Sequence, residues 1–252
     1  MKKIKLIAVI MGCLILGIGG IIIMNFNNDS VSNKNQQANY KIAGQSISAP
    51  QLSKNDREWQ NGYGTRSDGQ DTNSQNKPTR KITKTAKSLI IYFSRSGSTE
   101  LLASKIANQT NPDILEIVVK DPYAGNYQKT LSRANSEREN QDYPELNMQV
   151  PDLKQYDTIY LGYPIWAMTL SHPMTAFLKT YGGRLTDKII APFMTEGGYG
   201  QGDSVQRVRE IIREQGGERD TFTKALVVDG NKVDQADKRV TQWVSQVHAD
   251  NN

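Results

Sequence analysis

Residues 86–252 predict an α/β fold, a parallel sheet covered by helices on both faces. Five short apolar runs, 88–94, 114–119, 158–165, 188–195 and 224–229, have the length and the Ile/Val/Leu/aromatic content of buried strands. Alternating with them are five stretches whose apolar residues recur three and four apart, 99–109, 127–139, 173–181, 204–215 and 234–247, the spacing of one helix face. Strands separated by helices lie parallel, because a parallel pair needs a crossover connection, and such crossovers are right-handed. With 252 residues, 37% hydrophobic and 23% charged, the chain has room for one domain of ordinary size plus additional segments.

From the N-terminus, Lys2, Lys3 and Lys5 precede an uncharged run, residues 6–24, made mostly of Ile, Leu, Val, Met, Ala and Gly. As a helix, those nineteen residues rise about 28 Å, close to the hydrocarbon thickness of a bilayer. Positive charge on the leading flank orients the N-terminus inside and the rest of the chain outside. A cleaved signal peptide would have an apolar core of about 7–15 residues and a small-x-small exit, whereas this run leaves through Met24-Asn25-Phe26. Ile10-Met11-Gly12-Cys13 resembles a lipoprotein signal, but the apolar run continues well past Cys13, where a lipidated chain would turn polar. Residues 1–26 are therefore read as an uncleaved single-pass membrane anchor. Cys13 is the sole cysteine and can form no internal bridge.

Over residues 27–85 the composition shifts to Asn, Gln, Ser, Gly, Asp and Lys, with isolated apolar residues at Val31, Ile42, Ile47, Leu52, Trp59 and Ile82 and no period linking them. Such a stretch is expected to stay disordered, since it buries too little to offset its ordering entropy. It would form a flexible tether with a root-mean-square span on the order of 40 Å. Trp59 and Tyr63 are read as incidental aromatics in this solvated segment, with a docking motif as the alternative. Residues 1–85 carry +7 of formal charge and residues 86–252 carry −2. The domain proper thus has no basic footprint for nucleic acid.

Within the domain, ligands of an open parallel sheet bind beyond the carboxyl ends of the strands, which singles out three loops. The first strand, Leu89-Ile90-Ile91-Tyr92-Phe93, runs through Ser94-Arg95-Ser96-Gly97-Ser98-Thr99 into a helix. Hydroxyls, a glycine free to take positive φ and the amides of a helix N-terminus make this loop a phosphate cradle. Lacking both GKS/T and G-x-G-x-x-G, it disfavours nucleoside triphosphates and an NAD-type site. The third strand runs into Gly162-Tyr163-Pro164-Ile165-Trp166-Ala167-Met168, and the fourth into Thr195-Glu196-Gly197-Gly198-Tyr199-Gly200. Trp166 and Tyr199 could sandwich a flat π-system while the glycines admit backbone amides to its edge, although either ring alone could equally plug the sheet end. His172, ahead of Pro173, reads as a helix cap and His248 as part of a fraying terminus. Two distant histidines and one cysteine give no metal-ligand spacing.

The three loops, YFSRSGST, GYPIW and TEGGYG, resemble in order those of the flavodoxin-like family, specifically its short FMN-binding members, and the resemblance extends to Leu226-Val227-Val228-Asp229-Gly230 and the final helix. It implies five parallel strands in the order 2-1-3-4-5. By the match, Ser94, Ser96, Gly97, Ser98 and Thr99, with Arg95 among them, would hold the FMN phosphate. Pro164, Ile165, Trp166 and Ala167 would line one side of the isoalloxazine, and Thr195, Glu196, Gly197, Gly198, Tyr199 and Gly200 the other side and its pyrimidine edge. Two positions depart from the family pattern: a second bulky aromatic is common where Ala167 stands, and a small residue where Tyr199 stands. With no Lys or Arg in the second and third loops, negative charge on the reduced ring should be disfavoured and the potential low. The resemblance implies an electron-transfer protein working with a redox partner protein or a membrane electron donor. An FMN-dependent NAD(P)H reductase acting on quinones, and a cofactor-free interaction domain, are the alternatives. A domain charge of −2 is too mild for strong electrostatic steering of a partner.

Overall fold

The computed structural model describes residues 40–52, 54–66 and 77–249, which fall within one compact unit. The expected membrane anchor, residues 1–26, lies outside the described residues. Among the described residues, no helix is long and apolar enough to cross a membrane.

The described chain opens with a small antiparallel ribbon, β1 (Lys41–Ile42) and β2 (Gln45–Ser46), followed by a one-turn helix, α1 (Asp56–Trp59). Asn55 and Glu58 start that turn with a capping box: Glu58 N donates to Asn55 Oδ1 at 3.0 Å and Asn55 N to Glu58 Oε2 at 3.1 Å. A short strand, β3 (Arg80–Lys81), leads to β4 (Ser88–Tyr92), α2 (Ser98–Thr110), β5 (Asp113–Glu116) and α3 (Tyr127–Asn140). Next come β6 (Thr158–Trp166), the hairpin strand β7 (Thr169–Leu170), α4 (His172–Tyr181), β8 (Ile189–Glu196) and α5 (Ser204–Glu214). The chain closes with β9 (Thr221–Phe222), β10 (Leu226–Asp229) and α6 (Asp237–Ala249).

The sheet runs β10-β8-β6-β4-β5-β3. Its first five members are mutually parallel, so in chain order they stand 2-1-3-4-5, as the resemblance implies. β3 adds an antiparallel edge on β5, where Arg80 and Lys81 discourage further pairing. Burial follows the two-residue period of a strand. Leu89, Ile91 and Phe93 point into one core with Ile159, Leu161, Phe177 and Ile211, while Ile90 and Tyr92 point into the other with Leu102, Ile106, Val240 and Val244. Helices α2 and α6 cover that second face, and α4 and α5 the first.

The expectation of a disordered tether over 27–85 is corrected across its described residues. Ile42 and Ile47 are buried in the same core as α2 and α6, Trp59 is 3% exposed, and β3 has joined the sheet. These residues lack a period because each fits a separate niche on the domain surface. Residues 40–52 and 54–66 form a strap laid across the domain, and Trp59 is one of its anchors, not an incidental aromatic.

Candidate functional site

A cavity of about 450 Å³ opens beyond the carboxyl ends of the central strands. All three loops reach it. Arg95, Ser96, Pro164, Ile165, Trp166, Ala167, Thr195, Glu196, Gly197, Tyr199 and Gly200 line it directly. Ser94, Gly97, Ser98 and Thr99 lie buried in the same first loop without lining the cavity. Gly198 is exposed, with φ of 90°.

The first loop turns because Gly97 takes φ of 79° as the N-cap of α2, a conformation that disfavours other residues. It gives that helix no side-chain cap, so the first-turn amides have no such acceptor. Two of the loop hydroxyls serve the framework. Ser98 Oγ donates to Gly230 O at 2.8 Å, and Thr99 Oγ1 shares a hydrogen bond of 2.7 Å with Thr195 Oγ1, tying the first loop to the third. Ser94 Oγ is buried with no hydrogen-bond partner among the described residues. The Arg95 guanidinium donates to Thr65 O at 2.6 and 2.5 Å and stands 5.7 Å from the centre of the Tyr127 ring, so it clasps the strap.

The expected second loop is the end of a long strand followed by a tight hairpin. β6 continues to Trp166, and Ala167 and Met168 turn with φ of 48° and 64°, the doubly left-handed pair of a two-residue hairpin. Met168 O accepts from Asp203 N at 3.0 Å. Trp166 is half-buried and meets Phe93, Tyr123 and His172 edge-on at centroid distances of 5.8, 5.2 and 5.6 Å. In the third loop, Glu196 Oε2 accepts from Gly200 N at 2.7 Å, folding the carboxyl back over its own turn. Burial and the neighbouring Asp229 push the Glu196 carboxyl up. Asp229 is held down against its own burial by a hydrogen bond from Glu196 and by Lys232 at 2.9 Å. Tyr199 is 68% exposed, and its hydroxyl accepts from Asn61 Nδ2 at 3.0 Å.

Two walls of the cavity were not read from the sequence. Helix α3 contributes Tyr127, Thr130, Leu131, Ala134, Asn135 and Arg138, and the strap contributes Gln51, Trp59, Asn61 and Gly62. Arg138 thus brings a cation to a pocket whose second and third loops carry no Lys or Arg. Behind α3, Glu137 accepts from Tyr123 OH at 2.6 Å, Arg133 Nε at 2.7 Å and His172 Nδ1 at 2.8 Å. His172 is therefore not a helix cap. It is the buried first residue of α4, and Ser171 is the N-cap.

The arrangement offers buried hydroxyls and helix amides in the first loop beside a largely apolar cavity bordered by Pro164, Ile165, Trp166 and Tyr199. Residues 87–247 match the family model described as flavodoxin. Among solved structures, an inferred flavoprotein of Bacteroides uniformis ATCC 8492 is 25% identical over 64% of this chain and 99% of that one, with a TM-score of 0.54. One from Bacteroides eggerthii DSM 20697 is 22% identical over 65% and 98%, with a TM-score of 0.52. A flavoprotein of Lactobacillus acidophilus NCFM, solved in complex with FMN, is 24% identical over 60% and 97%, with a TM-score of 0.46. No curated protein matches the chain at a significant level. With its five parallel strands in the order 2-1-3-4-5 and a match that spans nearly the whole sheet, the chain belongs to the flavodoxin family.

Proposed function

We propose that this protein binds FMN in the cavity and acts as an electron carrier tethered to a membrane by residues 6–24, with the flavin domain on the outer side. The observation that carries the cofactor is Ser94. Its hydroxyl is 1% exposed at residue level and has no partner among the described residues, and an unsatisfied buried polar group costs about 1–3 kcal/mol. Ser94 does not itself line the cavity, and a phosphate seated in this loop, which also presents the uncapped amides of α2, would supply the missing partner. At the other end Pro164, Ile165, Trp166 and Tyr199 border a slot suited to a planar ring.

When bound, FMN supplies the redox chemistry, one or two electrons at a time. The chain binds, orients and shields it. Thr99 and Thr195 hold the two ends of the slot together, and the cage around Trp166 keeps that ring from swinging. The strap reaches Tyr199 through Asn61 and so borders the mouth, favouring electron transfer at the exposed Met168 and Tyr199 edge over docking of a nicotinamide dinucleotide. The donor or acceptor is then a redox protein or a membrane-bound carrier that meets this edge.

Titration of the purified full chain with FMN tests this reading. Flavin fluorescence should be quenched at one site per chain, and Ser94→Ala should weaken FMN about tenfold, equivalent to about 1.4 kcal/mol, with riboflavin affinity unchanged. Failure to take up FMN would sink the proposal. Steady NADH or NADPH oxidation by the loaded protein would replace the carrier with a reductase.

A further inference from the structure

Gln51 lies outside the flavodoxin match, yet its side chain lines the cavity and is 8% exposed. Its Nε2 donates to Ser96 Oγ at 2.5 Å, and its Oε1 accepts from Trp59 Nε1 at 3.1 Å; Ser98 Oγ stands 3.4 Å from the same oxygen, its hydrogen already given to Gly230 O. An indole N–H can only donate, so the atom facing Trp59 must be the carbonyl oxygen. The amino end is thereby turned toward the first loop. It has two hydrogens, and Ser96 takes one.

The strap is held on both sides of this point. Arg95 grips Thr65 O, Asn231 Nδ2 donates to Lys54 O at 2.9 Å, and Lys232 pairs with Asp56 at 3.1 Å. Asn61 closes against the third loop so tightly that a Cβ on Gly197 would stand 2.6 Å from its carbonyl oxygen. Gln51 is therefore a fixed donor at the phosphate end of the site, not a surface side chain that happens to reach it.

We infer that Gln51 is a phosphate-binding residue of the cofactor site, supplied by the strap, with Trp59 as the positioning residue that fixes the direction of its amide. The inference rests on the FMN reading above. A cofactor with a terminal phosphate gains the second Nε2 hydrogen as a charge-assisted bond, and a flavin without the phosphate gains nothing from it.

The test is paired titration of the full chain with FMN and with riboflavin, followed by flavin fluorescence. Gln51→Ala should weaken FMN about tenfold and leave riboflavin within about twofold. Trp59→Phe keeps the ring but lets the amide turn, and should give a smaller loss, again confined to FMN. If Gln51→Ala bound FMN as tightly as the parent or more tightly, the amide would be an obstruction and the inference overturned. Equal loss of both flavins would reduce the strap to a cover and overturn it as well. If the parent chain bound no FMN, the cofactor reading would fall and this one with it; parent binding with an unaltered Gln51→Ala defeats the Gln51 assignment alone.

Discussion

Gly162 lies opposite Phe193 in the register of β6 and β8, and a Cβ at this position would meet the Phe193 ring at 2.2 Å. Phe193 is fully buried, with the Trp243 ring 6.3 Å away. Gly162→Ala should therefore destabilise the fold by about 1–3 kcal/mol through overpacking, read as a lower denaturant midpoint; an unchanged midpoint would mean the ring can step aside. The glycine was legible as the first letter of GYPIW, but its reason was not, because the atom that excludes a methyl belongs to a strand thirty-one positions away. Trp166 and Tyr199 separate in the same way. Both were marked as loop aromatics at a ring site, yet Trp166 is caged edge-on by Phe93, Tyr123 and His172, whereas Tyr199 stands in solvent with one hydrogen bond to Asn61.

Helix α3 was placed by its spacing within one residue at its end, because periodicity is a local property. What its faces do is not local. One face lines the cavity, and the other carries Glu137 into a cluster with Tyr123, Arg133 and His172 that backs the Trp166 ring. Burial alone would push the Glu137 carboxyl up, but hydrogen bonds from His172, Tyr123 and Arg133 outweigh it and hold the group below the usual carboxylate range. A carboxylate depressed in the folded state stabilises the protein fully above its ordinary value, and that stability is lost as pH falls through the lower folded value. Unfolding free energy should thus drop on acidification below about pH 4.5, and Glu137→Gln should flatten part of that slope while lowering stability near neutrality. Denaturant unfolding repeated across that pH range checks both. A variant whose acid slope matches the parent would remove Glu137 from the account.

For the whole molecule, the strap limits the reach that the proposed tether would have. With the chain docked from Tyr40 onward, only residues 25–39 lie between the apolar run and the domain, and a chain of that length spans at most about 55 Å. On the proposed tether, the mouth of the cavity would be confined near the bilayer, within range of a donor embedded in it or bound to it. The full chain should sediment with membranes and resist alkaline carbonate extraction, whereas a chain starting at residue 27 should be released; release of the full chain would refute the tether. The sequence by itself determined the strand and helix order, the parallel sheet and three of the walls of the site, because strand and helix periods, turn residues and loop motifs are written in neighbouring positions. Only the tertiary structure decided that residues 40–52 and 54–66 pack on the domain, that α3 closes the cavity and that Gln51 faces the first loop. Those outcomes depend on niches formed by residues distant in the chain, which no local period records.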